Sequence, residues 1–276
     1  MKRITTATIR DRKKNGEAIT MLTAYDYWTA VLLDQAEIDM FLVGDSLGNV
    51  MLGYESTLPV TMEDMIHHTK AVCRGTQQAM VVADMPFLSY QVSVEEAVRN
   101  AGRLLKETGA QAVKVEGGQA VAPAVAAMVK AGIPVVGHLG LTPQAVHQLG
   151  GYKVQGKEER AAQQLLEDAR LLESCGAFAI VLECVPSLLA KKVTQSLGIA
   201  TIGIGAGADC DGQVLVTHDL LGLSTGFTPK FVKKYADLQQ NITAAVTAYK
   251  KEVTARTFPA PEHGFAMDGG VLEKLY

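Results

Sequence analysis

The run Met40-Phe41-Leu42-Val43-Gly44-Asp45-Ser46 decides the reading of the fold. It opens on unbroken apolar side chains, where a half-exposed strand would alternate, and it stops at a glycine and a carboxylate. Such a run suits a parallel strand covered on both faces. Seven further short runs of this character lie at residues 18–23, 80–83, 112–115, 134–136, 179–182, 200–204 and 214–217. Each is followed by Gly, Asp or Pro and then by a helical stretch.

The stretches between them carry helix signals. Thr61-Met62-Glu63-Asp64 and Ser93-Val94-Glu95-Glu96 have the capping-box pattern, in which a hydroxyl and a carboxylate satisfy orphan N–H groups. Thr142-Pro143 and Val185-Pro186 put proline near a first helical turn. Gly109 and Gly176 sit where glycine would end helices at 94–108 and 158–175. Eight strand–helix units in 276 residues predict an α/β chain folded as a (β/α)8 TIM barrel. Residues 1–276 form one domain in this reading, with a short helix at 6–15 closing the barrel bottom and an extended tail from about 257 to 276. A doubly wound open sheet is the competing architecture, and strand counting leaves it open. The connection at 205–213 has room for a single turn. The longer gap before the sixth run holds Gly150-Gly151-Tyr152-Lys153-Val154-Gln155-Gly156, which reads as a functional loop.

Bulk composition narrows the function. With 48% hydrophobic and 20% charged residues the chain can bury a sizeable core. A net charge of −3 offers no footprint for nucleic acid or an anionic membrane. No run approaches the ~18 apolar residues of a membrane span, and the start, Met1-Lys2-Arg3-Ile4-Thr5-Thr6, has no apolar h-region. Cys73, Cys175, Cys184 and Cys210 are too scattered for a zinc site or a disulfide framework. Reduced thiols and a cytoplasmic location are the expectation.

In a barrel the C-terminal strand ends build the active site, so the polar residues that interrupt the apolar runs there are the informative ones. They are Asp45 and Ser46, Asp84, Lys114 and Glu116, His138, and Glu183. Lys114 and Glu116 are two apart and point to one face of a strand. A rim salt bridge would explain that pair alone. Carboxylates converging from several strands need a cation besides, and hard oxygens without paired His or Cys suit Mg²⁺. Asp45 and Asp84 are the direct ligands in this reading, Glu116 joins through water, and His138 is a supporting wall residue. Glu183 ends an apolar stretch, where burial would suit a general base; capping of the helix after Pro186 is the structural alternative. Gly203-Ile204-Gly205-Ala206-Gly207 is a weak phosphate-loop signal and reads more safely as a close backbone approach to a ligand. His67-His68 read as helix surface. Tyr25, Phe87 and Tyr152 could stack an aromatic ligand at the mouth, although wall packing is the commoner use.

These residues stand in blocks that resemble ketopantoate hydroxymethyltransferases. The blocks include Thr23-Ala24-Tyr25-Asp26, Val43-Gly44-Asp45-Ser46-Leu47-Gly48, Ser56-Thr57-Leu58-Pro59-Val60-Thr61 and Ala83-Asp84-Met85-Pro86-Phe87. Lys114-Val115-Glu116-Gly117-Gly118, Gly137-His138-Leu139-Gly140-Leu141-Thr142-Pro143-Gln144 and Leu182-Glu183-Cys184-Val185-Pro186 continue the series. The resemblance runs from about residue 5 to 265 and leaves the tail 266–276 past the usual family end. It implies a TIM barrel that moves the one-carbon unit of 5,10-methylenetetrahydrofolate to 3-methyl-2-oxobutanoate, giving 2-dehydropantoate, the first step towards pantothenate and coenzyme A. It also implies Mg²⁺ at Asp45, Asp84 and Glu116, substrate at Asp45, Ser46, Asp84 and Lys114, a proton acceptor at Glu183, and a homo-oligomer, commonly a decamer.

Residues and resemblance together predict a Mg²⁺-chelated enolate mechanism, with Lys114 beside the developing charge and Glu183 taking the C3 proton. A Mg²⁺-dependent 2-oxo-acid lyase or decarboxylase would use the same aspartates without folate. A barrel that only binds or scaffolds is the reading from another class, and the converging carboxylates oppose it.

Overall fold

A computed structural model of the chain describes residues 3–224, 226 and 228–275. The strands are β1 (Ile19–Thr23), β2 (Met40–Val43), β3 (Met80–Asp84), β4 (Ala112–Glu116), β5 (Val135–Gly140), β6 (Ala179–Glu183), β7 (Ala200–Ile204) and β8 (Gly212–Leu215). All neighbours pair in parallel, and β1 pairs β8 through Ile19↔Gly212 to Leu22↔Leu215. That last ladder closes the barrel and excludes the open doubly wound sheet.

Strand periodicity then decides what faces the axis. Met80 and Val82, Ala112, Val136, Ala179 and Val181 pack with Ile9, Met40 and Ile202 as one buried cluster inside the barrel. The intervening residues, such as Val81, Ala83, Val113, Val135 and Ile180, belong to the separate layer under the helices. Side chains two apart share a face. The parity that buries Met80, Ala112, Val136 and Ala179 therefore also carries Asp84, Lys114, Glu116, His138 and Glu183 to the axis at the C-terminal end.

The helix Thr6–Asn15 lies across the opposite end, with Ile9 fully buried in the interior cluster. Its last turn reaches two aspartates that clasp neighbouring strands in the same way. Asp39 accepts from Thr20 N and Thr20 Oγ1, both at 2.8 Å, and pairs with Arg12 at 2.6 Å. Asp211 accepts from Thr201 N at 2.8 Å and pairs with Lys13 at 2.8 Å. Asp39→Ala removes the acceptor shared by Thr20 N and Thr20 Oγ1, in partly buried hydrogen bonds, and unpairs Arg12. It should cost about 1–3 kcal/mol of stability, read as a lower urea midpoint; an unchanged midpoint would contradict the clasp.

Several sequence expectations hold locally. Thr61 and Asp64 form the reciprocal capping box, whereas Ser93 caps Glu96 N without a returning bond. Gly109 ends the helix Val94–Thr108 in the left-handed conformation. The eighth strand is Gly212–Leu215 rather than residues 214–217, because Thr217 starts the helical turn Thr217–Leu220 and donates its N–H to Thr23 Oγ1 at 2.9 Å. The connection from β7 to β8 is a turn without a helix. A helix at Leu238–Thr254, which the sequence reading did not mark, follows, with no buried residue along its length. The tail is extended apart from the single turns Pro261–His263 and Gly269–Leu272.

Candidate active site

Register sets the first contacts at the mouth. β3 and β4 align Asp84 with Lys114, and β4 and β5 align Glu116 with His138. Lys114 Nζ lies 3.1 Å from Asp84 Oδ1, 3.6 Å from Glu116 Oε1 and 3.2 Å from His138 Nδ1. His138 bridges two carboxylates, with Nδ1 at 3.3 Å from Glu116 Oε1 and Nε2 at 3.4 Å from Glu183 Oε2. Asp45, just past β2, donates its N–H to Asp84 Oδ2 at 3.0 Å. Asp45, Asp84, Lys114, Glu116, His138 and Glu183 thus meet at one place.

Burial and like charge dominate the electrostatics. Burial, with repulsion from Asp84 and Glu116, holds Asp45 well above the usual carboxylate range. Burial also raises Asp84, opposed by the Lys114 ammonium. Glu116 goes the other way: Lys114 and the hydrogen bond from His138 outweigh its burial and lower it. Burial and Lys114 disfavour a charged His138, yet Glu116 and Glu183 prevail and push it up to about 9.

Glu183 is less enclosed than its apolar neighbours in sequence suggest. Its side chain remains 16% accessible and faces His138. It does not cap the following helix, because Ser187–Ser196 has no side-chain cap at its N-terminus. Its backbone is clamped instead: Leu141 N donates to Glu183 O at 2.8 Å. Gly140 allows that approach, since it adopts φ +93° and an added Cβ would stand 2.2 Å from Glu183 O.

Two polar partners, Gln144 and Tyr90, had no distinct signal in the sequence. Gln144 Nε2 donates to Asp45 Oδ2 at 2.8 Å, and its backbone N donates to Glu116 Oε2 at 3.0 Å. Tyr90 OH donates to Gln144 Oε1 at 2.7 Å and accepts from Glu116 N at 3.0 Å. Tyr25 is buried with its hydroxyl 2.8 Å from Ser46 Oγ, so it orients Ser46 and is not free to stack a ligand. His68 sits behind it, with Nδ1 2.6 Å from Tyr25 O, and so is only partly a surface residue. The Gly203–Gly207 run is occupied by the chain itself, Gly205 by Phe231 and Gly207 by Ser187, which removes the close-approach reading.

The donor set can be tested for a cation. Three buried carboxylates, Asp45, Asp84 and Glu116, surround one ammonium. Asp84 Oδ1 is buried and accepts no hydrogen bond, its contact with Lys114 lacking hydrogen-bond geometry. Glu116 has both oxygens engaged, by Lys114 and His138 on one side and Gln144 N on the other. Among the described residues no three His, Cys, Asp or Glu side chains converge on a common point as they stand. A hard ion that takes two carboxylates and keeps its other positions for water fits Asp45 and Asp84. Beside this centre opens a cleft of about 910 Å³, walled by Glu116, Gln144, Leu139, Phe87, Tyr90 and Asp168 among others. Gln155 and Gly156 bring the glycine-flanked loop before the sixth strand into its wall.

Comparison with known proteins places the chain in a family. A sequence model of the ketopantoate hydroxymethyltransferase family matches residues 3–261. The chain is 64% identical over 264 residues to the 3-methyl-2-oxobutanoate hydroxymethyltransferase of Syntrophus aciditrophicus, covering 96% of this chain and 97% of that one. It is 59% identical to the enzyme of that name from Syntrophomonas wolfei over 276 residues, the whole of both chains. The tail 266–276 therefore does not run past this relative. Among solved structures, the phosphoenolpyruvate phosphomutase of Streptomyces platensis subsp. rosaceus superposes with a TM-score of 0.62 at 14% identity, over 97% of this chain and 94% of that one. A phosphonopyruvate hydrolase gives 0.63 at 12% identity, over 98% and 94%. At that identity the likeness concerns the barrel alone. Among the described residues no helix is long and apolar enough to cross a membrane.

Proposed function

We propose, from the premise that the chain belongs to the ketopantoate hydroxymethyltransferase family, that this transferase moves the one-carbon unit of 5,10-methylenetetrahydrofolate onto C3 of 3-methyl-2-oxobutanoate. The product is 2-dehydropantoate, at the head of pantothenate and coenzyme A synthesis. The observation that carries the reading is the meeting of Asp45, Asp84, Lys114, Glu116, His138 and Glu183 at one barrel mouth.

Asp45 and Asp84 would hold a Mg²⁺, with Glu116 reaching it through water, and the bound ion would supply Lewis-acid polarisation of the keto oxygen. Lys114 stands beside Asp84 as a fixed cation for the substrate carboxylate and for the charge that develops on the keto oxygen. Ser46, oriented by Tyr25, donates to the same substrate. Glu183 takes the C3 proton, and His138 on its other side holds the carboxylate in place. The carbon left at C3 attacks the methylene carbon as one of that carbon's two bonds to folate nitrogen breaks. Water then displaces the second nitrogen and supplies the hydroxyl, and the C3 proton and the water's spare proton end on the two freed folate nitrogens. Carbon-13 in the methylene group of the folate should appear in the product by mass spectrometry, and only with Mg²⁺ present. Unlabelled product, or none, would overturn the reading.

The same proposal includes a homo-oligomer, by the resemblance a decamer. Ile242, Val246, Tyr249 and Val253 recur along one side of the helix Leu238–Thr254, and all are exposed. A helix that buries nothing in its own subunit gains little stability from propensity alone, and a contiguous apolar face marks an interface. Val246→Asp should reduce the mass measured by light scattering after size exclusion. An unchanged mass would separate this helix from assembly.

A further inference from the structure

The charged centre accounts for the oxo acid but leaves the adjoining cleft without an occupant. At about 910 Å³ it falls in the range of sites for drug-sized ligands. It shares Glu116 and Gln144 with the centre, so a ligand in it abuts the charged centre. Its wall is apolar at Leu58, Phe87 and Leu165 and carries amides at Gln91, Gln148 and Gln164. No Lys or Arg lines it among the described residues, which disfavours a phosphate or another polyanion.

At one side of the cleft stands Asp168, on the helix Glu159–Ser174. Its Oδ1 accepts from Gln119 N at 3.0 Å and Gln164 Nε2 at 3.2 Å. Its Oδ2 accepts no hydrogen bond from the described residues. The carboxylate lies flush on Gly118, where an added Cβ would come within 2.1 Å of it. Gly118 is two residues past Glu116, so the chain segment that leaves the charged centre is also the one that seats Asp168. A carboxylate fixed on one oxygen and free on the other suits a ligand with adjacent N–H donors in one plane. Phe87, partly exposed at the cleft wall, offers a face for a flat ring.

We propose that this cleft binds the pterin of the folate donor, with Asp168 accepting from its amino and ring N–H edge; this rests on the function proposed above. The bicycle then lies beside Glu116 and Gln144, and its methylene group points to the oxo acid.

The test is steady-state kinetics on the Mg²⁺-loaded enzyme with both substrates varied, for the wild type, Asp168→Asn and Ala161→Trp. Ala161 lines the cleft on the exposed side of the same helix, so a tryptophan there fills the space without removing a polar contact. Losing one charged hydrogen-bond acceptor typically costs about tenfold or more in affinity. Both variants should therefore raise the KM for methylenetetrahydrofolate by about tenfold or more, while the KM for the oxo acid stays within about twofold. Unchanged folate KM in both variants of a folate-dependent wild type would overturn the cleft assignment and leave the function standing. A parallel rise in both KM values would overturn it too, by marking a general structural effect. A wild type that makes product without folate would sink the function and this proposal together.

Discussion

Glu183→Gln is expected to lower turnover by about 10²–10⁴-fold, the usual worth of a positioned general base, with little change in oxo-acid binding. The amide matches the carboxylate in shape and keeps a partner for His138, whose Nε2 lies 3.4 Å from Glu183 Oε2. The clamp from Leu141 N to Glu183 O is a backbone contact and survives the substitution. What disappears is the ability to accept the C3 proton. Rapid-quench turnover and calorimetric binding of 3-methyl-2-oxobutanoate separate the two effects. Turnover equal to the wild type would remove Glu183 from the role.

Asp84→Ala is expected to abolish Mg²⁺ dependence and oxo-acid binding together. The substitution deletes one of two carboxylates placed for the ion and the acceptor for Asp45 N at 3.0 Å. It also deletes the nearer of the two carboxylates that pair with Lys114, leaving Glu116 at 3.6 Å for a buried ammonium. Removing one partner of a buried pair costs about 3–5 kcal/mol, so a lower melting temperature should accompany the loss. Asp84→Asn keeps the shape and the acceptor for Asp45 N, and so separates folding from ion binding. A tight oxo-acid complex in the metal-free alanine variant would contradict this account.

Much of the barrel was legible because its signals are local. Unbroken apolar runs mark strands covered on both faces, and once the barrel closes the period of two carries Asp84, Lys114, Glu116, His138 and Glu183 to one mouth. The N-terminal helix was legible from its position before the first strand. Gln144 was not: it serves Asp45, 99 residues away, and its neighbours mark it only as a helix start. Of the two uses the sequence left open for Tyr25, the structure shows wall packing, and its bond to Ser46 had no signal because nothing near it in sequence points there. The glycine run at Gly203–Gly207 misled for the same reason, since its space is filled by Phe231 and Ser187 from other segments. The start of β8 was missed because Gly212 and Gln213 are not apolar, although closure of the barrel makes them strand.

The central claim is that one mouth both labilises the C3 proton of the oxo acid and passes the resulting carbon to a folate-borne methylene group. Proton NMR in D₂O of 3-methyl-2-oxobutanoate with the enzyme, Mg²⁺ and methylenetetrahydrofolate, repeated with the metal chelated, tests it most directly. The account predicts that the C3 signal fades only when the metal is present and that a hydroxymethyl signal appears only when metal and folate are both present. A fading C3 signal with no hydroxymethyl product under any of these conditions would contradict it and return the site to the lyases.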